Sequence, residues 1–241
     1  FHWWQQDPFY ARTQEIEDLA WKTYYKHIAV LNALLVSIEE FQEEDNYKRV
    51  KGEAHFLRAY YYFMLVNIYA KPYSKETAAT DLGVPLKTTE YVEDIKYGRA
   101  TVEEVYALIT DDLKEAITNL TGVEQKSVRR ASVFAANALL SRVYLYMGEW
   151  QLAVDECDKV LALGCKLRDM NGLDEKWLNT VNSPEILFTQ GSYAIGGLMN
   201  NNTSRYGVIG GGRYRVSDEL LALYKKYKND GVVDLRESVF L

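Results

Sequence analysis

Residues 131–153 read Ala131-Ser132-Val133-Phe134-Ala135-Ala136-Asn137-Ala138-Leu139-Leu140-Ser141-Arg142-Val143-Tyr144-Leu145-Tyr146-Met147-Gly148-Glu149-Trp150-Gln151-Leu152-Ala153. The pattern predicts a helix from Val133 to Met147, a break at Gly148, a second helix from Trp150 to Leu163 and a stop at Gly164. In the pair, Ser141 and Tyr144 face a partner, Gly148-Glu149-Trp150 forms the turn, and Ala153 is small enough for the two helices to cross closely. Its signature, Arg142-Val143-Tyr144-Leu145-Tyr146, has an earlier counterpart in Arg58-Ala59-Tyr60-Tyr61-Tyr62, and each is followed by another amphipathic helix. Repetition of this kind predicts stacked helix pairs.

The later pair is close to a tetratricopeptide unit. Upstream, Tyr24, Ile28, Leu31, Leu35 and Ile38 form one apolar stripe, predicting a helix from Gln14 to Phe41. Gly52 to Ala70 is apolar on nearly all sides, as expected of a helix packed between neighbours. From Lys71 to Gly98 periodicity fails around Pro72, Gly83 and Pro85, which reads as a long loop. Helix resumes after Thr101, with Glu104 completing a capping box, and runs to Leu120. After Leu178 the chain turns rich in Asn, Gly and Ser, with Glu185 to Phe188 as strand or extended loop, an irregular excursion over Ser192 to Arg213, and helix again from Glu219 to Lys228 behind Ser217. The fold class is therefore mainly α: tetratricopeptide-like helix-turn-helix repeats in an α-α superhelix, plus a loop-rich segment.

Composition narrows the function. A net charge of -6 offers no long-range attraction to nucleic acid or anionic lipid. Nineteen tyrosines and five tryptophans supply many flat amphipathic rings, suited to cores and to sugar or peptide platforms alike. On one continuous helix, Cys157 and Cys165 would stand about 12 Å apart, too far for a disulfide. No apolar stretch approaches the roughly 18 to 20 residues of a membrane span. His2, His27 and His55 lack metal-site spacing, the glycines from Gly207 to Gly212 lack a following Lys-Ser/Thr, and the carboxylate runs Glu43-Glu44-Asp45, Glu103-Glu104 and Asp111-Asp112 read as solvated helix faces. No catalytic residue, metal or cofactor is expected.

Several blocks, in order, resemble the SusD/RagB family of nutrient-binding outer-membrane lipoproteins. They are Trp21, Tyr24, Ile28 and Asn32, then Gly52-Glu53-Ala54-His55-Phe56-Leu57-Arg58-Ala59-Tyr60-Tyr61-Tyr62-Phe63, Val84-Pro85-Leu86, and Arg99-Ala100-Thr101-Val102-Glu103-Glu104-Val105-Tyr106. Asp111-Asp112-Leu113, Ala131 to Trp150, Ser183-Pro184-Glu185-Ile186-Leu187-Phe188, Ser217-Asp218-Glu219-Leu220 and Asp234-Leu235-Arg236 complete the series. Family members are usually about twice this length, so the resemblance implies the N-terminal portion of one SusD-like domain over 1–241, helical to residue 178 and irregular with a further helix over 179–241. It also implies a non-catalytic protein on the extracellular face of the outer membrane of a Bacteroidetes-type bacterium, lipid-anchored through a segment absent from this chain. Such a protein binds starch or another glycan and serves a SusC-like TonB-dependent transporter as its lid.

Candidate ligand contacts are ring-rich. Trp3, Trp4 and Tyr10 belong to an aperiodic aromatic cluster on which a pyranose could stack, the alternative being that these rings pack under the first helix. Tyr73 and Tyr91 flank the long loop, and Arg213 and Tyr214 follow the glycine run, where they offer donors to a ligand. Arg58, Arg142, Gly148, Trp150 and Ala153 are read as structural, the two arginines requiring carboxylate or carbonyl partners on apolar helices. The competing readings are a peptide-binding tetratricopeptide adaptor, favoured by a groove lined with Asn, Lys and Arg, and an all-α enzyme, favoured by facing carboxylates across an aromatic cleft.

Overall fold

A computed structural model describes residues 10–11, 14–15, 18–91, 93–167, 184–190 and 217–225. The chain forms two compact units, Phe1–Gly164 and Cys165–Leu241. The first opens with a two-residue antiparallel pair, β1 (Tyr10–Ala11) and β2 (Gln14–Glu15). Five helices follow: α1 (Leu19–Ser37), α2 (Tyr47–Tyr69), α3 (Val102–Leu120), α4 (Val133–Met147) and α5 (Trp150–Ala162). A single 3-10 turn over Ile38–Phe41 extends α1. Each helix packs on its successor, and the contacts of α2 with α3 and of α4 with α5 are the most extensive. This is the tetratricopeptide-like, mainly helical architecture expected from the repeat.

The helix limits follow local chemistry. The first helix begins at Leu19 and not near Gln14, because Gln14 and Glu15 pair as β2 and the Asp18 carboxylate accepts the backbone N–H groups of Ala20 and Trp21 at 3.1 and 3.2 Å. Before α3, the Thr101 hydroxyl accepts the Glu104 N–H at 3.1 Å while Glu104 accepts the Thr101 N–H at 2.7 Å. Gly148 ends α4 at φ 73°, a left-handed position that a side chain would strain. Close approach also needs glycine at Gly52 on α2, where an added Cβ would lie 2.7 Å from Leu120 Cγ on α3. Ser141 on α4 donates to the Ala153 carbonyl of α5 at 2.8 Å, at the crossing of that pair.

One polar cluster sits among these helices. Arg58 on α2 donates from Nε and Nη2 to the two oxygens of Asp112 on α3, at 2.8 and 2.7 Å, and from Nη1 to Asn32 on α1 at 3.0 Å. His55 Nδ1 lies 2.7 Å from the same carboxylate. Arg58 is 9% and Asp112 3% exposed, so the bidentate pair operates away from water, where charge-assisted hydrogen bonds are strong. The equivalent position in the second signature behaves differently. Arg142 is exposed, and among the described residues it has no carboxylate or carbonyl partner, because it projects from the outward side of α4.

The segment between α2 and α3 has little regular structure but is fastened at residues 82–87 and again at Arg99. Tyr62 grips Lys87 twice, donating to its carbonyl at 2.8 Å and accepting its N–H at 2.9 Å. Asn32 donates to the Lys87 carbonyl at 2.8 Å, Tyr25 donates to the Pro85 carbonyl at 2.8 Å, and Val84 is fully buried. Arg99 closes the segment by donating to the carbonyls of Gly83, Leu82 and Tyr69 at 2.6, 2.9 and 3.0 Å.

Of the second unit, the described residues include a turn at 184–185, residues 186–190 in no regular element, and α6 (Asp218–Lys225), whose Leu220 N–H is accepted by Ser217 Oγ at 3.2 Å. The irregular excursion over Ser192 to Arg213 and the last turn expected up to Lys228 lie outside the described residues.

Two outcomes follow. Arg58→Ala strands the Asp112 carboxylate and should cost about 3 to 5 kcal/mol, whereas Arg58→Met combined with Asp112→Leu should cost less, because no lone charge stays buried. Equal losses in urea unfolding of the two variants would refute the pairing argument. Burial also raises the Tyr62 and Tyr106 phenols from their ordinary 10.0 to about 12. A raised phenol pKa means that the unfolded chain ionises first, so this stability is complete below pH 10 and drains as pH climbs towards 12. Denaturation midpoints should fall across that window, less steeply in Tyr62→Phe; parallel slopes for the two proteins would count against it.

Candidate functional site

At the turn between α4 and α5, Leu145, Tyr146, Met147, Gly148 and Trp150 meet the turn that follows α2, residues Tyr73 to Glu76, around an open surface pocket of about 520 Å³. Its rings come from three separate places in the chain. Tyr146 is the penultimate residue of α4, two positions before the stop glycine, Trp150 is the first residue of α5, and Tyr73 lies early in the α2–α3 connection.

The floor is built from inside the core. Tyr73 meets the buried Tyr106 edge-on with ring centroids 5.0 Å apart, and Tyr146 meets the buried Phe63 edge-on at 5.2 Å. Phe63 and Tyr106 are themselves 6.3 Å apart, so four rings form one continuous layer from α2 and α3 to the surface. Tyr146 remains 51% exposed and Trp150 65% exposed. The Trp150 indole folds back over Gly148, where an added Cβ would come within 3.8 Å of the ring.

Polar groups rim the rings. Lys75 Nζ pairs with Glu149 at 2.7 Å, and the Ser74 hydroxyl bonds Glu76. Burial, followed by the nearby Glu103 and Glu149 carboxylates, raises the Tyr73 phenol above its ordinary value, so it stays a neutral donor and acceptor well past neutral pH. Flat apolar faces next to fixed donors and acceptors suit a ligand with C–H faces and hydroxyl edges, which is the chemistry of a sugar.

The sequence-derived candidates distribute unevenly. Tyr73 lies in the pocket, together with Gly148 and Trp150, which had been read as structural; Ala153 is buried at the α4–α5 crossing. Tyr91 does not line it: this residue is 67% exposed on the α2–α3 segment, with Glu90 bonded to its phenol. Nearby, Lys87 Nζ lies over the Tyr97 ring at 5.2 Å and pairs with Glu93 at 2.7 Å. For Tyr10 only the backbone in β1 is described, and Trp3, Trp4, Arg213 and Tyr214 lie outside the described residues. Tyr146, read as part of the repeated signature, and Glu149, read as part of the turn, were given no ligand role in the sequence; their signal is position, one two residues before the stop glycine and the other immediately after it.

Comparison with known proteins agrees with this architecture. A family model described as starch-binding and associating with the outer membrane, SusD-like, matches residues 2–145. A SusD-like protein of Formosa agariphila is 29% identical over 140 residues, covering 57% of this chain and 25% of its own. A SusD superfamily protein from Bacteroides thetaiotaomicron superposes with TM-score 0.56 at 34% identity, covering 62% of this chain and 33% of that one. A laminarin-binding SusD-like protein superposes with TM-score 0.52 at 29% identity over 65% of this chain and 32% of its own. The matched part thus spans about a quarter of the curated relative and a third of each of these two structures. On the family match over residues 2–145 and the helix pairs that carry it, the chain belongs to the SusD-like family.

Proposed function

We propose that this chain is part of a surface protein that binds oligosaccharides at the outer face of the outer membrane and delivers them to a SusC-like TonB-dependent transporter. The observation that carries the reading is the family match across residues 2–145, whose description is starch binding with outer-membrane association. The similar laminarin-binding protein points to the same ligand class. Rings, more than Asn, Lys or Arg, surround the pocket at the α4–α5 turn, which favours a sugar over an extended peptide.

Mechanistically, the helix pairs act as a frame. Stacking on exposed rings and hydrogen bonds to sugar hydroxyls hold the glycan without bond cleavage, and no cofactor takes part. A lipid anchor preceding this chain would keep the protein beside its transporter.

The test is calorimetric titration of the full-length protein with a glycan panel, joined to uptake of a labelled oligosaccharide by cells with and without the gene. Binding should leave the glycan at its original length, and uptake should drop in the deletion strain. Shortened products would point to an enzyme, whereas unimpaired uptake would remove the delivery role.

A further inference from the structure

Among the described residues of 88–98 no backbone–backbone hydrogen bond forms, so side chains set the path of this strap. Its first mooring is Lys87, whose backbone is held from the core by Tyr62 and Asn32. From that fixed point the Lys87 ammonium turns back into the strap, pairing with Glu93 at 2.7 Å, bonding the Thr89 hydroxyl and lying 5.2 Å from the centre of the Tyr97 ring. The Tyr97 phenol closes the triangle by donating to the same Glu93 oxygen at 2.5 Å.

An isolated surface ion pair contributes little, because holding two long side chains in one geometry costs entropy. That cost is smaller here. Lys87 is fixed at its backbone, its side chain is only 18% exposed, and its ammonium faces both a carboxylate and an aromatic ring. The far mooring is independent of the triangle, since Arg99 donates to three backbone carbonyls and the Ala100 N–H to the Val84 carbonyl at 3.2 Å. Between the two moorings the strap carries Tyr91 and Ile95, 67% and 59% exposed.

We propose that Lys87, Glu93 and Tyr97 form a charge latch that folds the strap back on its own anchor, and that breaking the latch opens 88–98 while α2 and α3 stay in place. The latch thereby sets where Tyr91 and Ile95 are presented. Ionic strength is one release, because salt screens a partly exposed ion pair.

Limited trypsin digestion of the full-length protein tests this at the bond after Lys96, which lies inside the triangle and is cut only from the open strap; the product ending at Lys96 is followed by mass spectrometry. Cleavage of a transiently opened segment tracks the open population. At low salt, Glu93→Gln should be cut about three- to fivefold faster than wild type, and Lys87→Met likewise. At high salt the difference should shrink towards none, with wild type rising to meet the variants. Asp94→Asn removes the same charge beside the same bond but outside the latch, and should be cut at the wild-type rate. Equal acceleration in Glu93→Gln and Asp94→Asn would overturn the latch, as it would then reflect the protease's own charge preference. Unchanged cleavage in Glu93→Gln would also overturn it, and so would a lowered melting temperature with new cuts inside α2 or α3, which would make Glu93 a support of the helices.

Discussion

A guanidinium taken out of water costs several kcal/mol unless its charge and its N–H groups are answered, and Arg58 is answered on two sides. Asp112 accepts two parallel hydrogen bonds, and Asn32 takes a third. Because these partners come from α3 and α1, the ionic requirement of one side chain on α2 sets the positions of the two helices that flank it. Asn32 passes the constraint on by donating to the Lys87 carbonyl, so the connection between α2 and α3 is tied to the same cluster. Hydrophobic burial supplies most of the favourable energy of this array, but it is nondirectional; the polar cluster is what selects one register among the many that would bury similar area.

The surface pocket inherits its rigidity from this arrangement. Phe63 and Tyr106 occupy α2 and α3, the two helices joined by the Arg58–Asp112 pair, and they support Tyr146 and Tyr73 from behind. A recognition surface made of rings loses little entropy when a ligand arrives if the rings are already braced by others. Core packing and ligand presentation are here parts of the same aromatic layer.

Much of the helical frame can be read from residue order. The capping box at Thr101 and Glu104 and the stop at Gly148 place α3 and α4 from local chemistry alone, and both appear with the expected bonds and backbone angle. Less legible was which polar residues turn inward. Asp111-Asp112 looks like a solvated acidic face, yet Asp112 falls three residues after Ile109 and four before Ala116, on the buried stripe, while Asp111 points out. The same register test separates Arg58, four residues after Ala54 on the buried side of α2, from Arg142, which projects from the outer side of α4 despite its near-identical neighbours. A repeated motif conveys helix pairing; it does not convey which copy has a helix on both sides. The pocket was harder still, because its three rings are separated by up to 77 positions, and only the folded α4–α5 turn brings them to one place.

The double grip of Tyr62 on Lys87 and the closure made by Arg99 leave the stretch 88–98 as a bight between two moorings. Loop length between fixed ends carries only a slowly growing entropic cost. Evolution is thus free to lengthen, shorten or redecorate those eleven residues, counted from 88 to 98, without disturbing the helices on either side. Divergence among relatives should gather in that bight, while the moorings themselves keep their chemistry.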